Sequence, residues 1–203
     1  MIYLTSYKPL ICKPAGLRAS SRYNLPPFLD GSCRREPDFQ SPRPSISALC
    51  RLSKFAPRLR LDDLVVYMTT QANYLSEKEK HWRFVAVLRV TQRFLNHNEA
   101  ATWYRANNFP LPSNCIVRGN PPLPLSRTIR AYDSITQWDL IYKKRVRKYP
   151  LFLACESLFM NLANPPIITR EIMMQVFRRI PGTQTPPLIT QKQYDNLRRA
   201  CGA

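Results

Sequence analysis

The sequence predicts an α+β fold, and three observations carry that expectation. Short β-branched and aromatic runs, bounded by turn residues and too short for helices, recur through the first 160 residues. Two capped segments with helical spacing close the chain, and strands followed by helices, without regular alternation, describe α+β architecture. At 203 residues the chain suits one domain, residues 1–203, with a core of useful size.

Ile2 to Tyr7 (IYLTSY) reads as the first strand. A long proline-bearing stretch follows, residues 8–45, in which the prolines argue against central strands and helix interiors, and Tyr23, Leu25, Phe28 and Leu29 are available as anchors. Ile46 to Leu52 is expected to form a short strand or helical turn. Leu64 to Thr70 (LVVYMTT) and Trp82 to Val90 (WRFVAVLRV) read as core strands. Asn96 with Glu99 three residues on predicts a helix reaching Ala106 or Asn107. Ser113 to Val117 and Tyr149 to Cys155 are further strand candidates. From about residue 169 the chain turns helical. Thr169 caps a helix presenting Ile172, Met173, Val176, Phe177 and Ile180, and Thr190 with Gln193 forms a capping box for a last helix with Tyr194 and Leu197 on one face. The methionines read as core packing.

Charge narrows the partners. The chain carries 31 Lys and Arg against 13 Asp and Glu, a net charge of +18, so its field attracts polyanions. The excess gathers in residues 1–60 and 101–150, the latter holding Lys143 to Lys148 (KKRVRK), while residues 61–100 are balanced. Nucleic acid or nucleotides therefore lead the expected partners. The six cysteines are scattered without a C-x-x-C pair and only two histidines, His81 and His97, are present, so the clustered ligands of a zinc site are missing and neither metal nor cofactor is expected. The longest apolar run, YPLFLACESLFMNLA, is short and carries Glu156, so no membrane span is expected and a cytoplasmic location is.

Catalytic signatures are sparse. No nucleophile elbow, Walker loop or dinucleotide-binding glycine pattern occurs, and no catalytic residue is assigned. Asp62 and Asp63 form an acid pair, but neighbours in an extended segment point to opposite sides, so the pair reads as the turn that launches the next strand, with carboxylates bonded to local amides. An enzyme acting on nucleotides or nucleic acid, with Asp63, Cys33 or Glu156 in chemical roles, remains an alternative, as does a protein-interaction scaffold.

Several segments, taken in order, resemble PUA-like domains, the superfamily of ASCH, EVE and YTH modules. RLDDLVVYM resembles the Gly-Asp turn leading into a core barrel strand, and FVAVLRVTQRFLNHNEAATWY the strand and helix that follow. YLTSY, NLPPFLDGSC (Asn24 to Cys33), SNCIVRGNPP (Ser113 to Pro122) and LFLACESLF (Leu151 to Phe159) are most similar to the nucleotide-modification-associated domain type within it. Asp62 stands where such proteins place glycine. The resemblance implies a small mixed β-barrel with peripheral helices and a base-binding pocket on its side, in a DNA-modification or defence context. By motif position it makes the Asn24 to Arg34 loop and the Asn114 to Arg118 segment pocket walls, with Asn24, Ser32, Asn114 and Arg118 as nucleotide contacts.

Independently of the resemblance, aromatic side chains can stack on a base, and Trp82, Trp103, Tyr104 and Trp138 are candidates, Trp82 foremost. Arg34, Arg35, Lys143, Lys144, Arg145 and Arg147 are the expected phosphate contacts. The expected function is recognition of a modified base or nucleotide.

Overall fold

The computed structural model describes residues 1–130 and 134–202. Six strands, β1 (Ile2–Tyr7), β2 (Ser45–Ser47), β3 (Leu64–Thr69), β4 (Trp82–Phe94), β5 (Phe152–Met160) and β6 (Ile167–Ile168), form one mixed sheet. Its main path runs β1-β3-β4-β5-β2, curled into a half-barrel, and β6 pairs with the start of β4. β1 and β3 are parallel, from Ile2 opposite Leu64 to Tyr7 opposite Thr69, and the other pairings are antiparallel.

Alternation along the strands explains the two main cores. Tyr3, Val65, Tyr67 and Leu88 face one side, where Phe28, Leu29, Phe39, Ile46 and Phe55 from the long loop region cover them. Leu4, Val66, Met68, Phe84 and Val87 face the other and pack on the C-terminal helices α4 (Arg170–Phe177) and α5 (Gln191–Ala200) through Met173, Phe177, Tyr194 and Leu197. With both faces covered, Val85, Ala86, Val87 and Leu88 all lie at zero exposure, which is why β4 reads as a nearly continuous apolar run. Register shifts against β3 and β5 bring Val85 and Ala86 into the same core.

The expected turn before β3 is present. Asp62 sits in the left-handed region (φ 65°), a conformation Asp tolerates better than most side chains. The Asp63 carboxylate accepts from the Arg60 amide at 2.8 Å and from the Met1 ammonium at 2.6 Å. The caps are present as well. Asn96 accepts from the Glu99 amide at the start of α2 (His97–Ala106), Thr169 caps α4, and Thr190 with Gln193 closes a reciprocal capping box on α5.

Four expectations are corrected. The 8–45 stretch contains α1 (Pro14–Arg22), because Pro14 occupies the first helical turn, where its missing N–H has no partner to lose. Ser113–Val117 is not a strand; its amides are taken by the Asp38 carboxylate at Ser113, by Pro112 O at Cys115 and by His97 Nδ1 at Ile116. The basic run belongs to α3 (Ile135–Lys148), which continues to Tyr149 as its C-cap, so β5 begins at Phe152. Finally, α4 ends at Phe177, with Arg178 left-handed (φ 59°), before Ile180.

Past α4, the chain returns along the free edge of β1, where Leu4 N donates to Pro187 O and Ile189 N to Ile2 O. This strap covers the sheet edge and carries Thr183 and Gln184 toward the open end of the half-barrel. No helix among the described residues is long and apolar enough to cross a membrane.

Candidate functional site

A cleft of about 660 Å³ opens where the strap, the end of β1, residues 30–36, residues 50–55 and α3 converge. Its size falls within the range of small-ligand sites. The inner lining is buried and mixes acids, hydroxyls and rings: Asp30, Glu36, Ser47, Tyr7, Tyr67 and Phe55 are each less than one-tenth exposed. The rim is basic, with Lys8, Lys54 and Arg130 exposed.

Tyr7 and Tyr67 come from adjacent strands and clasp Phe39 edge-on, with centroid distances of 5.5 and 5.4 Å. Tyr7 donates its hydroxyl proton to Phe28 O, whereas the Tyr67 hydroxyl, on the cleft lining, has no hydrogen-bond partner among the described residues. Burial holds both phenols well above their ordinary pKa, so both are neutral donors.

The two carboxyls enter through the short segment Asp30 to Glu36. Asp30 accepts from the Ser32 amide at 2.9 Å and from the Ser32 hydroxyl. Burial nevertheless raises its pKa to about 6, against the lowering by Ser32. Glu36 accepts from the Ser47 amide at 2.7 Å, from the Ser47 hydroxyl and from Asn114 Nδ2 at 3.2 Å. Burial outweighs those bonds and lifts it to about 8. At neutral pH the inner cleft thus holds an ionised Asp30 and a mostly protonated Glu36.

Arg51 fastens the strap to the barrel. Its guanidinium donates to Ser6 O, Thr183 O and Gln184 O, and Ser6 Oγ meets Thr183 Oγ1 at 2.6 Å. On the opposite side, α3 contributes the buried Tyr142, and Arg145 donates to Leu49 O at 2.5 Å. Rim and helix are linked by Arg130, whose guanidinium lies 4.0 Å from the Trp138 ring centroid.

Of the residues expected from sequence, Ser32 lines the cleft, with its hydroxyl committed to Asp30 and Arg34 O. Asn114 is fully buried and supports Glu36 and Ser45 from behind. Trp82 packs into the second core, away from the cleft. Asn24 is exposed in a left-handed turn after α1 and is not part of the cleft lining.

Arg34 and Arg35 are corrected as phosphate contacts, because each is 1 % exposed. Arg34 donates through Nε to Asp139 at 2.9 Å and through Nη1 to Ser113 O and Asn120 O, both at 2.9 Å, while Arg35 bonds Asp30 O and Arg127 O. Such enclosed guanidiniums tie loops together and leave no face for a phosphate. Arg145 is spent on Leu49, but Lys143, Lys144 and Arg147 are exposed on α3. Arg118 is exposed in a separate groove of about 570 Å³ that also includes Asn98 and Lys143.

The residues considered for chemistry are also occupied. Asp63 lies under the Met1 ammonium, Glu156 pairs with Arg89, and burial raises the Cys33 thiol above its ordinary range, away from the reactive thiolate. Both histidines are inside. His81 Nε2 accepts from Arg83 Nε at 2.9 Å, and His97, with the Ile116 amide on Nδ1, is pushed down to about 4 by burial and then by Arg34.

Sequence reasoning missed Glu36, Asp30, Ser47, Tyr67 and Tyr142 as a group. The one available signal was DGSCRRE itself, two acids bracketing a basic pair in an acid-poor chain. No family model, curated protein or solved structure matches this chain.

Proposed function

We propose that the protein is a nucleic-acid or nucleotide-binding module of PUA-like architecture that takes a base, in particular a modified one, into the cleft beside the half-barrel. The observation that carries this reading is the cleft's polarity. Neutral phenols, a carboxylate and a largely protonated carboxyl form the buried end, and lysine and arginine side chains surround the mouth. A nucleotide has the complementary layout, with a hydrogen-bonding base at one end and phosphate at the other. Asp30 suits an exocyclic amino or hydroxyl donor, as acidic side chains accept from the cytosine amino group in grooves. Tyr67 offers an unengaged hydroxyl, and Phe55 and Tyr142 supply apolar walls. The half-barrel and the order of the resembling segments support the PUA-like and nucleotide-modification reading.

Calorimetric titration with unmodified and modified nucleoside monophosphates tests it. Binding at one site, lost in Asp30→Leu and weakened in Tyr67→Phe while folding is retained, is expected. Failure of every nucleotide to bind at millimolar concentration overturns the reading.

One observation favours the enzymatic reading: two carboxyls with raised and separated proton affinities share one cleft, an arrangement typical of acid-base pairs. Under that reading Asp30 and Glu36, not Asp63, Cys33 or Glu156, act on the bound nucleotide, and turnover of a modified nucleotide that stops in Glu36→Gln distinguishes it from binding alone.

A further inference from the structure

The cleft accounts for only part of the positive charge. α3 forms one of its walls through Tyr142, yet the opposite face of the same helix displays Lys143, Lys144, Arg147 and Lys148, all exposed. The only acid on α3, Asp139, is buried and already engaged by Arg34 at 2.8 Å and by Lys143 at 2.8 Å; burial alone would raise its pKa, and these cations hold it lowered. Lys143 thus shares Asp139 with Arg34, and Lys144, Arg147 and Lys148 have no acid on the helix to compensate them. Lys144 and Arg147 form no ion pair among the described residues and, three positions apart, share that face. Beyond the ridge lies the groove containing Arg118 and Asn98, with Lys143 on its edge. A basic ridge thus stands between two depressions, one able to hold a base.

We infer that the ligand of the cleft is a nucleotide within a single-stranded polynucleotide, whose neighbouring phosphates cross the Lys143, Lys144 and Arg147 face of α3 toward Arg118. The inference rests on the cleft reading given above. A free mononucleotide would use the rim cations Lys8, Lys54 and Arg130 and leave the ridge without a role. A strand uses both, because a base must leave its stack to enter a cleft while the adjoining phosphates stay outside. A duplex cannot insert a base without unpairing it, so the single strand is the form that binds at lowest cost.

The test pairs two probes with one variant. Fluorescence anisotropy follows a labelled single-stranded decamer containing all four bases across a range of salt concentrations, and calorimetry follows the four mononucleotides. In Lys144→Ser/Arg147→Ser, removal of two phosphate contacts is expected to weaken the decamer roughly tenfold and to shrink its log-log salt slope by about 1.4, leaving mononucleotide affinity unchanged. Both side chains are exposed, and an unchanged melting curve verifies the fold. Unchanged decamer affinity and slope in the variant, or wild-type mononucleotides binding as tightly as the decamer, overturns the strand proposal and leaves the cleft reading standing. Absence of binding by both probes removes the cleft reading and this inference with it.

Discussion

Glu36 gives the buried end of the cleft its character, and its protonation is measurable through stability. In the fold its pKa is raised from 4.5 to about 8, chiefly by burial. A carboxyl raised in the folded state binds its proton more tightly there than in the unfolded chain. Its contribution is therefore fully present below pH 4.5 and is lost as pH rises through the folded value. At 1.36 kcal/mol for each pKa unit, Glu36 alone removes about 3 to 4 kcal/mol of stability between pH 5 and pH 8. Urea unfolding of the wild type and of Glu36→Gln, followed by tryptophan fluorescence across that interval, isolates the contribution, because every other titrating group is common to both. The wild type should lose stability relative to the variant by that amount as pH rises. Parallel profiles would show Glu36 ionised in the fold, with its Ser47 and Asn114 bonds outweighing burial, and would refute the reasoning.

Three other predictions concern the framework. His97, lowered to about 4 from 6.5, contributes stability present above pH 6.5 and lost as pH falls toward 4; its imidazole resonances should stay fixed from pH 8 to pH 5 in an NMR titration, and a midpoint near 6.5 would contradict its burial. Arg34→Ala leaves Asp139 with Lys143 as its one remaining cation and strips the Ser113 and Asn120 carbonyls of their buried donor, so it should cost about 1 to 3 kcal/mol in urea unfolding, whereas no measurable cost would show that this network is not needed. Asp62→Gly relieves a left-handed backbone and should be neutral or stabilising by up to about 1 kcal/mol in thermal unfolding; a loss of that size would mean that the Asp62 side chain holds the turn.

What could be read from sequence was local. Asn96 with Glu99 and Thr190 with Gln193 announce their helices because both partners of each cap lie within one turn. Leu64 to Thr69 announces a strand because its β-branched run is short and bounded by the Asp62-Asp63 turn. Where local chemistry has two outcomes, expectation failed. Pro14, barred from a helix interior, starts a helix within a stretch read as loop, and Asn114 in a strand-like run is drawn out of any ladder by Glu36 and Ser45. α3 was hidden by its own charge, since KKRVRK obscured the spacing of Trp138, Tyr142 and Val146. The cleft was hidden for a different reason. Glu36 meets Ser47 across 11 positions and Asn114 across 78, and Tyr142 and Thr183 arrive from still later segments, so the pocket exists only after the sheet has closed. The same distance explains Arg34 and Arg35: surface residues by composition, they lie inside because Asp139 and several carbonyl groups converge on them.

The most direct test of the central claim is amide chemical-shift mapping with a saturating nucleoside monophosphate. The account predicts a saturable response centred on Asp30, Glu36, Ser47, Tyr7 and Tyr67, the inner lining of the cleft. Shifts confined to the basic face of α3, or none at millimolar nucleotide, would contradict it.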